Sequence, residues 1–342
     1  MIRFRSISTA NRHGFTSTEL LITTVVMGFL IAAMVQLFMG VKKGMTGFDA
    51  ANAMKKINTE SLTRMHLKVS RSKRLFNNVS ADNAFLSKLD LGGCPVVIGL
   101  SKLPKIEDTG SLVPGATNYY ASSFGNSLFE AYNDAPETMT NIVVTAPSST
   151  GTVKVNIYRF AYYYLTQDHT QYINSKQPYL LTEWTSQPYA DYNELNVMGS
   201  PQKSNVVKAL VARNVIYAWN PSTGVATAAF YTLTSGGAMN LSASHTIQKR
   251  DCTVLTAGLK NRLGQNYTLG VAVNNDGFGG LMKAVPQFAA PDGIFPGGLE
   301  VGIVGPAGGR KVLLHHVLFC GGVQQKVISD DRISVTAARD IW

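Results

Sequence analysis

Over most of its length this chain carries almost no excess charge. Residues 76–342 hold 19 basic and 18 acidic side chains. The formal charge of +10 therefore comes from the N-terminal part: Arg3, Arg5 and Arg12 have no acidic neighbour before residue 15, and nine lysines and arginines between 42 and 74 face only Glu19, Asp49 and Glu60. A near-neutral body offers no global field for a phosphate backbone, so nucleic acid is not an expected partner on charge. Cysteine is scarce as well. Cys94, Cys252 and Cys320 are the three in the chain, and their wide spacing excludes a CxxC redox or zinc motif. In an oxidising compartment they would make one disulfide and one free thiol. Cys252 with Cys320 is the favoured pair because both lie in the C-terminal part, although spacing alone leaves all three pairings open.

Catalytic motifs are missing too. The chain contains no HExxH, no P-loop and no GxSxG, and the glycines of "GFGG" and "PGG" read as turns and not as phosphate cradles. His315 and His316 stand near Cys320. On a strand His316 and Cys320 would share a face, but two ligands without a third make a satisfied pair of strand histidines the better reading. "NNDGFGG", residues 274–280, has turn chemistry with one carboxylate, too few acidic ligands for a calcium loop. Neither an enzyme nor a metal or cofactor site is expected.

One long apolar run is present. Between Leu20 and Val41 lie 22 residues without a formal charge. As a helix they would extend roughly 33 Å, enough to cross a hydrocarbon core of about 30 Å. The basic residues ahead of the run argue for a leader on the cytoplasmic side and a body on the other, although Lys42 and Lys43 weaken the contrast. No small-residue cleavage site follows the run, and the helical pattern continues through Gln36-Leu37-Phe38-Met39-Gly40, which points to a retained anchor. Beyond Gly44, Met45, Phe48, Met54, Ile57, Leu62, Met65 and Val69 recur at helical spacing, with Lys55, Lys56, Arg64, Lys68 and Arg71 largely elsewhere on the surface. The pattern predicts one helix from about Phe15 to about Leu75, apolar all round in its first half and with one apolar face in its second. The stripe is too irregular for sustained heptads.

These residues resemble the class III signal of type IV pilins and type II secretion pseudopilins. In that family a short basic leader ends in Gly, prepilin peptidase cuts after it, the new N-terminal residue is N-methylated, and a Glu stands fifth in the mature chain. Gly14, Phe15 and Glu19 fall on those positions, followed by the apolar run. Two departures are visible. Ser17 and Thr18 replace larger apolar residues, and Gln36 stands where many major pilins carry a helix-breaking Pro. The motif covers only about the first 35 residues. It implies residues 1–14 as a prepilin leader, cleavage between Gly14 and Phe15, and methylation of Phe15. It also implies an assembly role for Glu19, whose carboxylate would pair with the N-terminal amine of a neighbouring subunit. Other pilin or pseudopilin subunits, prepilin peptidase and inner-membrane lipid are the implied partners, with the head in the periplasm before export to a pilus or pseudopilus. The bland alternative is a Glu near a helix start, favoured there by the helix dipole.

From about Asn77 the texture changes to short strand-like runs punctuated by Gly, Pro, Asn and Ser. "TNIVVTAPSSTGTVKVNIYRFAYYYLT" reads as strand, turn and strand. "VKALVARNVIYAWNPSTGVATAAFYTLT" reads as a hairpin closed at Asn220-Pro221-Ser222-Thr223-Gly224, and "NYTLGVAVNN" and "RKVLLHHVLFC" suggest further strands. The expected fold is α+β: a long N-terminal α-helix (15–75, transmembrane about 20–41) on an antiparallel β-sheet head, enlarged or two-lobed, with lobes at 76–245 and 246–342. Tyr158, Phe160, Tyr162, Tyr163 and Tyr164 suit a sheet core. The second aromatic group, Tyr172, Tyr179, Trp184, Tyr189 and Tyr192, lies in a polar, loop-like stretch and is the better candidate for subunit contact or adhesion. The size of the head favours a PilW-like or J-type minor subunit that primes a fibre from its tip, with adhesion, motility or DNA uptake as the processes such a fibre would serve. The alternatives are a type II secretion pseudopilin of J type and a pilin-stem adhesin or DNA-uptake receptor.

Overall fold

The computed structural model describes residues 16–99, 101–109, 123–145, 149–167, 179–256, 259–260, 266–271, 298–323 and 326–340. The chain divides into two compact units, Met1–Asp49 and Ala50–Trp342. Helix α1, Ser17–Val69, supplies residues to both. In the first unit residues 16–45 are exposed on every side of the helix, including Leu20, Phe29, Leu37 and Phe38. The apolar run is thus helical and long enough to cross a membrane, with none of it buried. The helix continues unbroken through Gly28 and Gly40.

In the second unit the helix becomes one-sided. Ala50, Met54, Asn58, Ser61, Leu62, Met65 and Val69 are buried, at spacings of three and four that place them on one face. Lys55, Lys56, Thr59, Glu60, Thr63 and Arg64 remain exposed. The helix ends at Val69 and not near residue 75. The segment predicted as its last turn is strand β1, Ser72–Leu75, held by long-range bonds that outcompete helix continuation. Leu75 N–H donates to the Asp340 carboxylate at 2.6 Å and Asp340 N–H to Ser72 O at 3.2 Å.

The rest of the unit is β-rich. In chain order it contains α2 (Ser80–Leu86), β2 (Ile106–Glu107), β3 (Leu128–Asn133), β4 (Glu137–Thr145), β5 (Ser149–Val155), β6 (Ile157–Gln167), β7 (Tyr179–Ser186), β8 (Tyr189–Asp191), α3 (Tyr192–Asn196), α4 (Ser200–Ala212), β9 (Tyr217–Trp219), β10 (Phe230–Leu233), β11 (Met239–Leu241), β12 (Lys249–Val254), β13 (Leu259–Lys260), β14 (Asn266–Val271), β15 (Leu299–Val304), β16 (Arg310–Val323) and β17 (Lys326–Ala338). Among the described residues fifteen strands form one branched sheet with the path β11-β10-β9-β8-β6-β7-β14-β16-β15-β2, while β4 and β5 form a separate hairpin. Pairings are antiparallel except β8 with β9 and β15 with β2.

Among the described residues no break in the sheet falls near residue 245. Strand β7 pairs with β6, β12 and β14, and β14 with β16, so strands from the two expected lobes share one ladder and one contact unit. The hairpin at Asn220–Gly224 is present, with Trp219 opposite Phe230. "VKALVA", read as a strand, is instead the end of α4. Pro201 sits in its first turn, and Val206, Val207 and Leu210 are buried at helical spacing against β5 and α3 residues such as Val155 and Leu195.

The sheet separates two cores by strand alternation. On β6, Ala161, Tyr163 and Leu165 face α1 together with Leu128, Leu181, Val301, Leu314, Leu318 and Cys320. Tyr158, Phe160, Tyr162 and Tyr164 face the other way, with Phe76, Phe85, Phe129, Trp184, Tyr189, Trp219 and Phe230. The second core is aromatic, with Phe76 stacked on Phe129 at 4.3 Å and Phe160 edge-on to Trp219 at 5.0 Å. The second aromatic group is therefore not a loop surface. Trp184 and Tyr189 are fully buried on β7 and β8, because their strand is flanked on both faces; Tyr172 lies outside the described residues.

Candidate functional site

The start of α1 holds Glu19 in a reciprocal cap. Its Oε2 accepts the Thr16 backbone N–H at 2.9 Å and the Thr16 hydroxyl at 2.9 Å, while Glu19 N–H donates to Thr16 Oγ1 at 3.3 Å. Thr16 is the N-cap and Glu19 the third helical residue, the capping-box arrangement that satisfies two donors at a helix start. The signal was legible as T-S-T-E at 16–19. In the single chain Glu19 thus has a local structural task, and any intermolecular pairing must draw on acceptor capacity that this cap leaves. Gly14 and Phe15 lie outside the described residues.

Downstream, the basic residues that gave the N-terminal part its charge are partly consumed inside the second unit. Glu183, buried on β7, accepts Arg64 at 2.6 Å, Lys68 at 2.7 Å and the Tyr163 hydroxyl at 2.7 Å. Arg74, also buried, donates to Asp82 at 2.8 Å. Under the helix, Asn58 Nδ2 donates to the Asp330 carboxylate at 3.0 Å and its Oδ1 accepts from His316 Nδ1 at 2.8 Å. Because the amide oxygen can only accept, His316 carries its proton on Nδ1, and burial depresses its pKa to about 3, keeping it neutral. These contacts pin the distal half of α1 to β7, β16 and β17. Sequence reasoning missed Asn58 and Glu183, whose role depends on long-range pairing that no local pattern reports.

His315 points to the opposite face. Its Nδ1 meets Glu300 at 2.5 Å and its Nε2 meets Asp331 at 2.9 Å. Burial works against the imidazolium, but the two carboxylates outweigh it and the pKa is raised. The adjacent histidines therefore have different neighbours and pKa values displaced in opposite directions. Among the described residues no group of three or more His, Cys, Asp or Glu is placed to hold a metal ion. The expected loop at 274–280 lies outside them.

The Cys252–Cys320 pairing does not survive the sheet's geometry. Cys252 stands opposite Trp184 and packs with the aromatic core, whereas Cys320 is buried in the core beneath α1. Side chains on opposite faces of a sheet cannot meet the Cβ geometry of a disulfide. All three thiols are free in this structure.

No protein-family model, curated protein or solved structure matches this chain.

Proposed function

We propose that this chain is a membrane-anchored minor subunit of a type IV pilus-like fibre, made as a precursor, cut between Gly14 and Phe15, and assembled through the exposed half of α1. The observation that carries the reading is the combination at the start of α1. An acidic residue opens an uncharged run of 22 residues that is helical and exposed on every side, so the run needs lipid or other helices around it. A carboxylate at the edge of such a run is retained for a task, and the freshly cut amine of Phe15 on a neighbouring chain supplies a partner beyond the cap. The head resides outside the cytoplasm and acts in priming and holding a fibre, not in chemistry. Burial of Trp184 and Tyr189 takes two of the five aromatics of the second aromatic group away from the face an adhesin reading would need.

Two substitutions test this. Gly14→Leu leaves an uncut, membrane-bound precursor, and normal cleavage of that variant would sink the family reading. Glu19→Gln separates cap from charge, because a Gln at the third helical position still closes a capping box. The variant should be cut and inserted normally yet be recovered in sheared fibres at least about tenfold less than wild type, a loss equivalent to roughly 1.4 kcal/mol of assembly. Wild-type incorporation would show that capping is the whole of Glu19's role.

A further inference from the structure

We infer that Cys94 and Cys252 form an intramolecular disulfide that staples the Asp90–Cys94 loop to strand β12, made by exchange with a disulfide-class oxidant. The loop is already laid over that strand. Leu89 forms a parallel bridge with Ile247, and Asp90 N–H donates to Ile247 O at 3.0 Å. The Trp184 indole, directly across from Cys252, donates to Asp90 O at 2.8 Å. One strand further in, the Tyr164 hydroxyl donates to Pro95 O at 3.0 Å and touches Cys252 Sγ at 3.6 Å. The residues on either side of Cys94 are thus held by side chains on the face that carries Cys252. Between them the chain reverses, with Gly93 at φ 72° and Cys94 N–H closing onto Leu91 O at 3.0 Å.

Both thiols are partly exposed, so an oxidant can reach them, and they pack on the same core. They lie within hydrogen-bonding reach of each other; burial first, and then this neighbour, push the Cys94 thiol up to about 12. Cys320 is fully buried on the other face and is excluded as a partner. In the exchange, one cysteine sulfur attacks a sulfur of the oxidant RSSR and expels RS⁻. The second cysteine attacks the mixed disulfide and expels the other RS⁻. Two electrons pass to the oxidant, and the two cysteine protons end on the two released thiols. The staple anchors a strand whose only ladder among the described residues is with β7. It is a property of the folded head and stands apart from the fibre reading.

The test uses the full wild-type chain in detergent micelles with oxidised glutathione, alkylated and digested with trypsin without reductant. The peptide Leu89–Lys102 should be recovered linked to Asp251–Lys260, and the two should separate on reduction, while Val312–Lys326, which carries Cys320, is alkylated only after unfolding. Reduction should lower Tm by about 5–10 °C; Cys94→Ser and Cys252→Ser should each show the lowered value whatever the redox state, and Cys320→Ser should keep the link. Recovery of Cys94 and Cys252 as separate alkylated or glutathione-capped peptides, a link through Cys320, or a Tm indifferent to reduction of the linked protein would each overturn the proposal.

Discussion

Glu130 shows how one buried carboxyl can set a pH dependence for the whole head. It lies fully buried on β3, where burial raises its pKa from 4.5 to about 8, against the pull of Lys68 and helped by the negative charge of Glu183. The folded state then holds a proton that the unfolded state has lost, so stability is full below about pH 4.5 and falls as pH rises to about 8. Each pH unit inside that window removes at most about 1.4 kcal/mol. Glu130→Gln mimics the protonated form, so it should match wild type within about 1 kcal/mol at pH 4.5 and become the more stable protein at pH 8. Urea unfolding across that range checks this. Because buried His316, held near 3, makes stability rise with pH over part of the same window, the difference between variant and wild type is the readout, and a variant that tracks wild type throughout would remove the buried carboxyl as the cause.

Helix α1 changes character along its length, and its packed part is where element-scale energetics concentrate. Met65 has no exposed surface and sits amid the core formed with Tyr163, Leu181 and Val301. Met65→Ala should cost about 2–5 kcal/mol, read as a lowered urea midpoint. Met45→Ala, on the exposed half of the same helix, should leave that midpoint unchanged. The sequence stripe named Met65 and Met45 alike, because helical spacing reports a face and not what covers it. The same limit explains the misread α4. Its run of valines has strand propensity, but the helical spacing of Val206, Val207 and Leu210 and the Pro in the first turn were the better guides. The start of α1 was a different kind of miss: T-x-x-E at Thr16 holds the cap within four residues and, as local chemistry, could have been read from the sequence, but the apolar pattern started the helix at Phe15 without it. The thiol pairing was not legible. Cys94 and Cys252 are far apart in sequence, and only the register of β12 on β7 decides which face a cysteine takes.

At the scale of the whole molecule, the division at Asp49 separates a part that needs an apolar surround from one that has built its own core. Among the described residues, the second unit contains the packed turns of α1, the branched sheet with the cores on its two faces, and the apolar cluster that packs α4. The first unit contributes no buried residue among those described. A chain beginning at Ala50 therefore keeps every core contact and discards the apolar run. Such a fragment should fold with a Tm within about 4 °C of the full chain, since loss of the exposed run removes less than roughly 1 kcal/mol of packing, and should be soluble without detergent. Expressed beside the full-length chain, it should appear in the alkaline-extractable fraction while the full chain stays with the membrane, and it should be missing from sheared fibres. A fragment that folds yet remains with the membrane would place a second membrane-binding surface on the head, and the single-anchor reading would fall. A fragment that enters fibres would instead move the assembly contacts off the exposed half of α1.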